Sequence, residues 1–189
     1  MASVAFVVLA AGAARRFGGR KLDADLNGKA LGQWATDAVE EAGATDRFIV
    51  VNPDPPDFAR LLKGWHLIAN AEYEQGIGTS IRTAIHAVRN YDRVVISLAD
   101  MPFVEASELM RLGEESDAIF TRQADGKPGV PAAFPKALFD RLLELPDDRG
   151  AAAIANGIRS RTLDAGSEAN LLDVDTPGDL ADIRARKSG

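Results

Sequence analysis

The sequence predicts an α/β domain with a mostly parallel sheet, and three observations lead to this fold class. Continuous runs of β-branched and apolar residues occur at positions 4–9, 48–51 and 94–98, with a shorter run at 118–120. Such runs are typical of strands that are buried on both faces, as in a parallel sheet. A chain of 189 residues suits a single domain, which we take as residues 1–189. Segments with helical periodicity lie between the apolar runs. The alternation of strands and helices therefore predicts parallel strands joined by right-handed crossovers.

The predicted helices follow from apolar residues repeated at helical spacing. Two such stripes are present: Trp34, Ala35, Ala38 and Val39, and then Ile81, Ala84, Ile85 and Val88. Thr79 or Ser80 is expected to be the N-cap of the second helix, because hydroxyl oxygens accept hydrogen bonds from the free N–H groups of a first turn. A last helix is expected to open at Thr176, with Pro177 at its first position and Asp179 completing a box-like cap.

Composition and charge exclude several functional classes. The chain has no cysteine, which excludes disulfides, thiolate metal sites and a cysteine nucleophile. Its net charge is −6, which disfavours the broad positively charged surface that nucleic-acid binding needs. No apolar run approaches the ~20 residues of a membrane-spanning helix. No basic segment precedes the apolar stretch at 4–14, whereas one precedes the apolar region of a signal peptide. We therefore expect a cytoplasmic protein that binds neither nucleic acid nor membranes.

The segment 9–21 carries the strongest local signal for anion binding. Small residues and three glycines follow the first strand, together with four cations in seven residues: Arg15, Arg16, Arg20 and Lys21. Small residues let a backbone approach a phosphate closely, and successive N–H groups form an anion nest. Arg16 and Lys21, the latter expected to be an exposed loop residue, would supply the charge. The alternative is a glycine turn with solvated cations; neither the Walker A nor the GxGxxG pattern is present.

Two aspartate segments are candidates for metal binding. Asp100 follows the strand predicted at 94–98, and ligands of parallel sheets bind beyond the carboxyl ends of strands. Mg²⁺ is commonly held by one or two carboxylates and by substrate phosphates. An Asx turn or an N-cap is the alternative interpretation of Asp100. Asp173 and Asp175 alternate along an extended segment, so only one of them can readily face a site, and a surface turn is the alternative there.

Together these segments resemble the MobA-like nucleotidyltransferases, and they are most similar to the molybdenum cofactor cytidylyltransferases. The resemblance rests on the pattern LAAGxxxRxGxxK from Leu9, an Asp-x-Pro turn at Asp100 and the segment Asp-Val-Asp-Thr-Pro from Asp173. Weaker matches are EQGIGTSI at 74–81 and GVP at 129–131. The resemblance extends over nearly the whole chain, from about residue 4 to about residue 182.

The resemblance implies a three-layer α/β/α Rossmann-like fold and transfer of a nucleotide from an NTP to a phosphorylated acceptor, with release of pyrophosphate. It assigns nucleotide binding to ten residues: Leu9, Ala10, Ala11, Gly12, Arg16, Gly18, Lys21, Gly78, Ser80 and Asp100. Arg16, Lys21 and Asp100 would be catalytic, and the two cations would hold the triphosphate. Asp100 and Asp175 would bind Mg²⁺, for which Mn²⁺ is the alternative. Such an enzyme would be a monomer or a small homo-oligomer.

The identities of the nucleotide and of the acceptor depend on few positions. In this family an Ala-Ala-Gly loop tends to accompany CTP, so Ala11 favours CTP, and the expected acceptor is of molybdopterin type. Three positions depart from the family pattern, with Val130 in place of histidine, Met101 in place of glutamine and Ala14 in place of serine. The first two are expected to lie toward the acceptor. Another acceptor, such as an isoprenoid-precursor or sugar phosphate, and a nucleotide-binding module without turnover stay open as alternatives.

Overall fold

The computed structural model describes residues 2–186, which form strands and helices in alternation. The strands are β1 (Val4–Ala10), β2 (Asp25–Leu26), β3 (Lys29–Ala30), β4 (Asp46–Val51), β5 (His66–Ala69), β6 (Arg93–Leu98), β7 (Ala118–Arg122), β8 (Pro128–Pro135) and β9 (Ser160–Asp164). The helices are α1 (Leu31–Glu41), α2 (Asp57–Arg60), α3 (Ile77–Val88), α4 (Ala106–Glu114), α5 (Phe139–Leu143) and α6 (Pro177–Arg186). Short 3-10 helices include Lys21–Asp23, Tyr73–Gln75 and Glu168–Leu171. No helix within residues 2–186 has both the length and the apolar composition that crossing a membrane requires.

The main sheet has seven strands in the order β5-β4-β1-β6-β8-β7-β9. Its first four strands run parallel to one another, with β1 between β4 and β6. β8 is antiparallel to both of its neighbours, and the edge strand β9 runs parallel to β7. The prediction of a mostly parallel sheet is therefore confirmed, and the carboxyl ends of β4, β1 and β6 lie side by side.

Helices cover both faces of the sheet, which gives three layers. Alternate residues of β1 enter opposite cores, because successive side chains of a strand point to opposite faces. Phe6 and Val8 pack with residues of α1, α4 and α6, whereas Val7 and Leu9 pack with residues of α3 and α5. Burial on both faces explains why β1 reads as a continuous apolar run rather than as an alternating pattern. The three-layer fold expected from the sequence is confirmed.

The predicted elements are present, with one error at a helix start. α3 begins at Ile77 and its N-cap is Gly76, so the expected N-cap at Thr79 or Ser80 is wrong. Both hydroxyl residues lie inside the first turn, where Thr79 Oγ1 donates to the carbonyl of Gly76 at 2.8 Å instead of capping free N–H groups.

The expected cap of the last helix is confirmed. Asp179 N donates to Thr176 Oγ1 at 3.2 Å, and Thr176 N donates to Asp179 Oδ2 at 2.7 Å, so the two residues satisfy each other's free N–H groups.

Candidate functional site

A cleft lies at the carboxyl ends of β1, β4 and β6. Two adjoining pockets of about 320 and 270 Å³ make up this strand-end cleft. Its first lobe is bordered by Asn52 and the turn that follows it, and its second lobe by Ser80 and Asp100. Both lobes share six lining residues: Ala10, Gly12, Ala13, Lys21, Leu22 and Tyr73. The cleft therefore lies where ligands bind to parallel sheets of this kind.

The glycine-rich loop after β1 forms one wall of the cleft and presents an open backbone. Phe17 N and Gly18 N both donate to the carbonyl of Ala14 at 3.1 Å, which closes a turn. Gly18 has a φ of +80° and Ala14 a φ of +47°, so the turn uses the left-handed region twice. A Cβ added at Gly12 would meet no atom within 4 Å. This loop therefore leaves room for a ligand to approach the main chain, as a phosphate-binding loop requires.

Lys21 lies at the floor of the cleft between two carboxylates. Its Nζ is 2.7 Å from Asp100 Oδ2 and 3.7 Å from Asp175 Oδ1. The expectation that Lys21 is an exposed loop residue is wrong, because only 9% of its surface is accessible. The ammonium group is thus a largely desolvated positive charge, and its interactions with charged groups are stronger than they would be in water.

Asp100 and Asp175 lie together because the chain before α6 is hydrogen-bonded to the end of β6. Val174 N donates to the carbonyl of Asp100 at 3.0 Å, which places Asp175 beside the cleft. Asp100 Oδ1 is buried and has no hydrogen-bond partner. The pKa of the Asp173 carboxyl group is raised, first by its partial burial and then by the nearby charges of Asp100 and Asp175.

The two carboxylates by themselves are too few to complete the coordination of a metal ion. In residues 2–186 no group of three or more His, Asp or Glu side chains is arranged to hold a metal ion. Asp100 Oδ1 nevertheless needs a partner, and Asp175 lies within 4 Å of the same ammonium group as Asp100. A divalent cation of the Mg²⁺ type suits such a site, because it keeps waters and phosphate oxygens beside one or two carboxylates.

The other loop cations divide into different environments. Arg16 is exposed and forms a 2.8 Å ion pair with Asp175 at the edge of the carboxylate pair. Arg20 instead donates to Asp23 and Asp57 at 2.8 and 2.7 Å, which joins the glycine-rich loop to the start of α2. Arg20 is therefore occupied by structural ion pairs, whereas Lys21 and Arg16 surround the two carboxylates.

The structure separates two residues that the sequence placed together in the nucleotide site. Ser80 lines the second lobe of the cleft, but Gly78 does not. Gly78 N donates to the carbonyl of Asp147 at 2.8 Å, and a Cβ at Gly78 would lie 2.1 Å from Pro146 O. Gly78 thus packs the first turn of α3 against the segment 145–148, while Leu9, Ala10, Ala11 and Gly12 line the second lobe together with Lys21 and Asp100.

Sequence reasoning missed two asparagines beside the cleft. Asn52 lines the first lobe, and its Oδ1 is buried without a hydrogen-bond partner. Asn70 is buried and donates to both Thr79 Oγ1 and Ser80 Oγ. Each asparagine directly follows an apolar strand, β4 or β5, so the strand-end rule that selected Asp100 would also have found them.

Comparison with known proteins places this geometry in a family. A model of the MobA-like NTP transferase domain matches residues 6–164. Among solved structures, a nucleotidyl transferase from Methanothermobacter superposes with a TM-score of 0.84 at 20% identity, over 99% of each chain. Comparison with curated protein sequences gave no match.

Two further proteins share the fold over nearly the whole length. Rv0371c from Mycobacterium tuberculosis superposes with a TM-score of 0.84 at 26% identity, over 97% of this chain and 98% of that chain. A structure of the same protein in complex with manganese has a TM-score of 0.80 and 24% identity, with the same coverage. Molybdopterin-guanine dinucleotide biosynthesis protein A from Archaeoglobus fulgidus superposes with a TM-score of 0.73 at 22% identity, over 97% and 98% of the two chains.

Proposed function

The chain belongs to the MobA-like NTP transferase family, and from this premise we propose that it transfers CMP from CTP to a phosphorylated acceptor of molybdopterin type and releases pyrophosphate. The observation that carries the proposal is the position of Lys21. A largely buried ammonium group lies beside two carboxylates, beneath an open glycine-rich loop, at the carboxyl ends of the parallel strands. A triphosphate with its bound cation needs all of these features in one place.

The triphosphate would lie along the glycine-rich loop. The open side of Gly12 allows the main chain to approach phosphate oxygens, and Gly18 holds the turn. Lys21 and Arg16 would leave their carboxylate partners in part and bind the β- and γ-phosphates. Their charges would then neutralise the negative charge that grows on the leaving pyrophosphate.

Asp100 and Asp175 would hold Mg²⁺, with Mn²⁺ as an alternative, and the cation would neutralise phosphate charge when bound. Two features support this assignment: the buried Asp100 Oδ1 lacks a partner, and a homologous structure contains manganese. The protein supplies two carboxylates only, so water and phosphate oxygens would complete the coordination.

The chemical step needs no general base. An oxygen of the acceptor phosphate, already anionic, attacks the α-phosphorus of CTP in line. The bond from the α-phosphorus to the bridging oxygen breaks, and the electron pair leaves with pyrophosphate. The residues around the cleft would act by positioning the two phosphates and by neutralising charge, which is the usual mode of catalysis in phosphoryl and nucleotidyl transfer.

The nucleotide and the acceptor are the finer parts of the proposal. Ala11 supports CTP through the family pattern, and a fold relative named for molybdopterin-guanine dinucleotide biosynthesis supports a molybdopterin acceptor. Met101 is buried and Val130 half-buried, so neither side chain is freely available to recognise an acceptor. Val130 and Met101 also depart from the family pattern, which keeps isoprenoid-precursor and sugar phosphates as alternative acceptors.

The first test is release of pyrophosphate from CTP, GTP, UTP and ATP with Mg²⁺, each with and without molybdopterin. Release that requires both CTP and molybdopterin would support the full proposal. Release with another phosphorylated acceptor would keep the reaction and replace the acceptor. Binding of CTP without release from any acceptor would contradict the enzymatic reaction and favour a nucleotide-binding module.

The second test uses matched ion pairs. Lys21→Met and Asp100→Asn should each lower kcat/KM by roughly 100-fold or more, as loss of a charged group at the reacting phosphates commonly does. Lys127→Met and Asp125→Asn are the controls, because these residues form an exposed 2.7 Å ion pair outside the cleft. The controls should stay within about twofold of wild type. Full activity of Asp100→Asn would remove Asp100 from the metal site.

A further inference from the structure

A network of ion pairs connects the segment that bears Lys21 to α2, across the first lobe of the cleft. Residues 19–23 line one side of this lobe, and residues between 52 and 56 line the other. Arg20 Nη2 donates to Asp57 Oδ1 at 2.7 Å, and Arg20 Nη1 lies 3.6 Å from Asp54 Oδ2. The side chain of Arg20 therefore joins the two sides of the lobe.

Lys21 lies between the two residues that make this connection. Arg20 Nε donates to Asp23 Oδ2 at 2.8 Å, so the side chains on either side of Lys21 are paired with each other. Asp23 Oδ1 accepts a hydrogen bond from Phe58 N of α2 at 3.1 Å. Partial burial alone would raise the pKa of Asp23, but hydrogen bonds from the main chain of α2 and from Arg20 lower it below its usual value. Asp23 is therefore ionised at neutral pH, and both charged neighbours fix the backbone around Lys21.

The helix α2 can serve as the fixed end of this connection because it is anchored in the core. Phe58 is only 6% exposed. A Cβ added at Gly32 of α1 would lie 2.4 Å from two carbons of the Phe58 ring, so the ring fills the space that this glycine leaves. The contacts therefore run from α1 through Phe58 to Asp23 and Arg20, and from these two residues to the backbone of Lys21.

We propose that Arg20 is a positioning residue, which together with Asp23 fixes the backbone of Lys21 so that the ammonium group of Lys21 meets the triphosphate. The inference rests on the proposed function, in which Lys21 neutralises charge on the leaving pyrophosphate. A displacement of about 1 Å at such a group can cost roughly 100-fold in rate. The guanidinium of Arg20 is itself paired with three carboxylates, so its contribution is the position of Lys21 rather than a charge of its own.

Arg20→Gln and Arg60→Gln form a matched pair of variants. The two arginine side chains are 48% and 49% exposed, and both pair with Asp54 and Asp57. In residues 2–186 the hydrogen bonds and ion pairs of the Arg60 guanidinium all go to the segment 54–57, so they do not cross the lobe. An effect that needs the connection to Lys21 should therefore appear in Arg20→Gln alone.

The kinetic test is the rate of pyrophosphate release with CTP and the acceptor that supports turnover. Arg20→Gln should lower kcat roughly tenfold with a smaller change in the KM for CTP, because Lys21 acts on charge that grows in the transition state. Arg60→Gln should stay within about twofold of wild type in both parameters, as is usual for an exposed ion pair. Arg20→Lys should recover only part of the kcat, since an ammonium group lacks the planar fork that serves two carboxylates at once.

A double-mutant cycle with Lys21→Met shows whether Arg20 acts through Lys21. If it does, adding Arg20→Gln should change the kcat/KM of Lys21→Met by less than about twofold, measured at raised enzyme concentration. Direct binding of Arg20 to the triphosphate would instead give two effects that multiply, and this result would contradict a positioning role.

Hydrogen exchange followed by mass spectrometry tests the connection without relying on turnover. Arg20→Gln should speed the exchange of main-chain N–H groups in residues 17–24 by roughly five- to tenfold, because the segment loses its attachment to α2. Arg60→Gln should leave the exchange of this segment as it is in wild type. Circular dichroism establishes that both variants are folded.

The outcomes separate this inference from the proposed function. A wild-type protein that releases no pyrophosphate with any acceptor would overturn both. With an active wild type, equal kinetic effects of Arg20→Gln and Arg60→Gln, or unchanged exchange in Arg20→Gln, would overturn the role of Arg20 alone. If Arg20→Gln fails to fold, Asp57→Asn and Asp54→Asn decide instead. The first removes the 2.7 Å partner of Arg20 and should lower kcat more than the second, and equal effects of the two would contradict the proposal.

Discussion

Buried hydroxyl groups in this protein differ in whether they have partners. Ser97, near the end of β6, is 2% exposed, and its Oγ has no hydrogen-bond partner. Thr121 on β7 is fully buried, and its Oγ1 lies 2.7 Å from Glu108 Oε1 and 2.8 Å from Pro131 O. An unpaired buried polar group costs free energy, whereas a paired one contributes to stability.

These two hydroxyl groups should therefore respond oppositely to removal. Ser97→Ala should raise the free energy of unfolding by about 1 kcal/mol, because it deletes an unpaired polar atom. Thr121→Val should lower it by roughly 1–3 kcal/mol, because Glu108 loses a partner in the core. Urea denaturation followed by circular dichroism measures both values. A destabilised Ser97→Ala would mean that this hydroxyl group has a partner, such as a buried water.

Single residues show what the sequence could predict of the site and what it could not. Asp100 and Lys21 were found because their chemistry and their place after a strand are visible in the chain. Whether Asp100, Lys21 and Asp175 bind ligands stays a prediction. The burial of Lys21 was missed because its surroundings come from distant parts of the chain, as its ion pair with Asp175 shows. Asn70 was missed because its partners become neighbours only when β5 packs beside α3.

At the scale of elements, the start of α3 is fixed by contact between two backbones. Gly78 packs against Pro146, and a Cβ on Gly78 would lie 2.1 Å from Pro146 O. Arg82, one turn further along α3, donates to the carbonyl of Leu145 at 2.6 Å and so holds the same two segments together. Backbone atoms cannot move aside as side chains can, so a larger residue at this position must push the two segments apart.

Gly78→Ala should separate α3 from the segment 145–148. Alanine favours a helix over glycine by about 1 kcal/mol, but the clash with backbone should outweigh this gain and leave a net loss of roughly 1–3 kcal/mol. Gly150→Ala is the matched control, because its added Cβ would lie 3.9 Å from Ile77 Cγ2, an ordinary contact. Thermal denaturation of both variants measures the difference. Equal melting temperatures would contradict this description of the contact.

The cap of α6 should make stability depend on pH. Hydrogen bonds from Thr176 N and Asp175 N lower the pKa of Asp179 in the folded protein. A carboxyl group with a lowered folded pKa contributes stability above its unfolded pKa of about 3.9 and loses it as pH falls through the folded value. Asp179→Asn should thus be less stable than wild type at pH 7, and the difference should shrink below about pH 4.

Denaturant unfolding at pH 7 and pH 3 measures this difference in stability. Asp182→Asn, on the same helix, is the control, because no hydrogen bond to the Asp182 carboxyl group is seen in residues 2–186. The stability of this variant should vary with pH as that of wild type does. A gap between wild type and Asp179→Asn that is as large at pH 3 as at pH 7 would contradict the capping role.

Elements differed in how far the sequence could predict them. The buried parallel strands were predicted, since burial on both faces gives unbroken apolar runs. β8 was not predicted, because prolines at positions 128, 131 and 135 argue against a strand inside a sheet. The sheet accommodates β8 with a register shift between Phe120 and Thr121 of β7. This irregular pairing depends on tertiary context and leaves no local signal.

At the scale of the whole molecule, charge is distributed unevenly. The chain carries a net charge of −6, yet Lys21 in the cleft and Arg16 at its edge both pair with Asp175, and Lys21 also pairs with Asp100. A polyanionic ligand is repelled by the molecule as a whole, and Lys21 and Arg16 would attract it at short range only once they turn from their carboxylate partners or a bound cation neutralises those carboxylates. Salt screens both effects, and the Debye length falls from about 10 Å at 0.1 M to about 3 Å at 1 M.

If the cleft binds a triphosphate, the attraction at short range should dominate. We expect the KM for CTP to rise roughly three- to tenfold between 0.05 and 0.5 M KCl, with a much smaller change in kcat. Initial rates at fixed Mg²⁺ measure both parameters. The dependence should be weaker in Arg16→Gln, which lacks one charge at the cleft. A KM that falls with salt would indicate that the overall negative charge controls binding.

The place of β1 in the sheet has a consequence for how the protein is made. β1 leaves the ribosome before both of its partners, β4 and β6, which end at residues 51 and 98. At a synthesis rate of roughly 5–20 residues per second, the second partner follows roughly 5–20 s later. Until then an apolar strand has at least one unpaired edge, the condition in which nascent chains associate wrongly. Among the described strands, the one that precedes the glycine-rich loop is thus the one whose second edge stays unpaired for the longest stretch of synthesis.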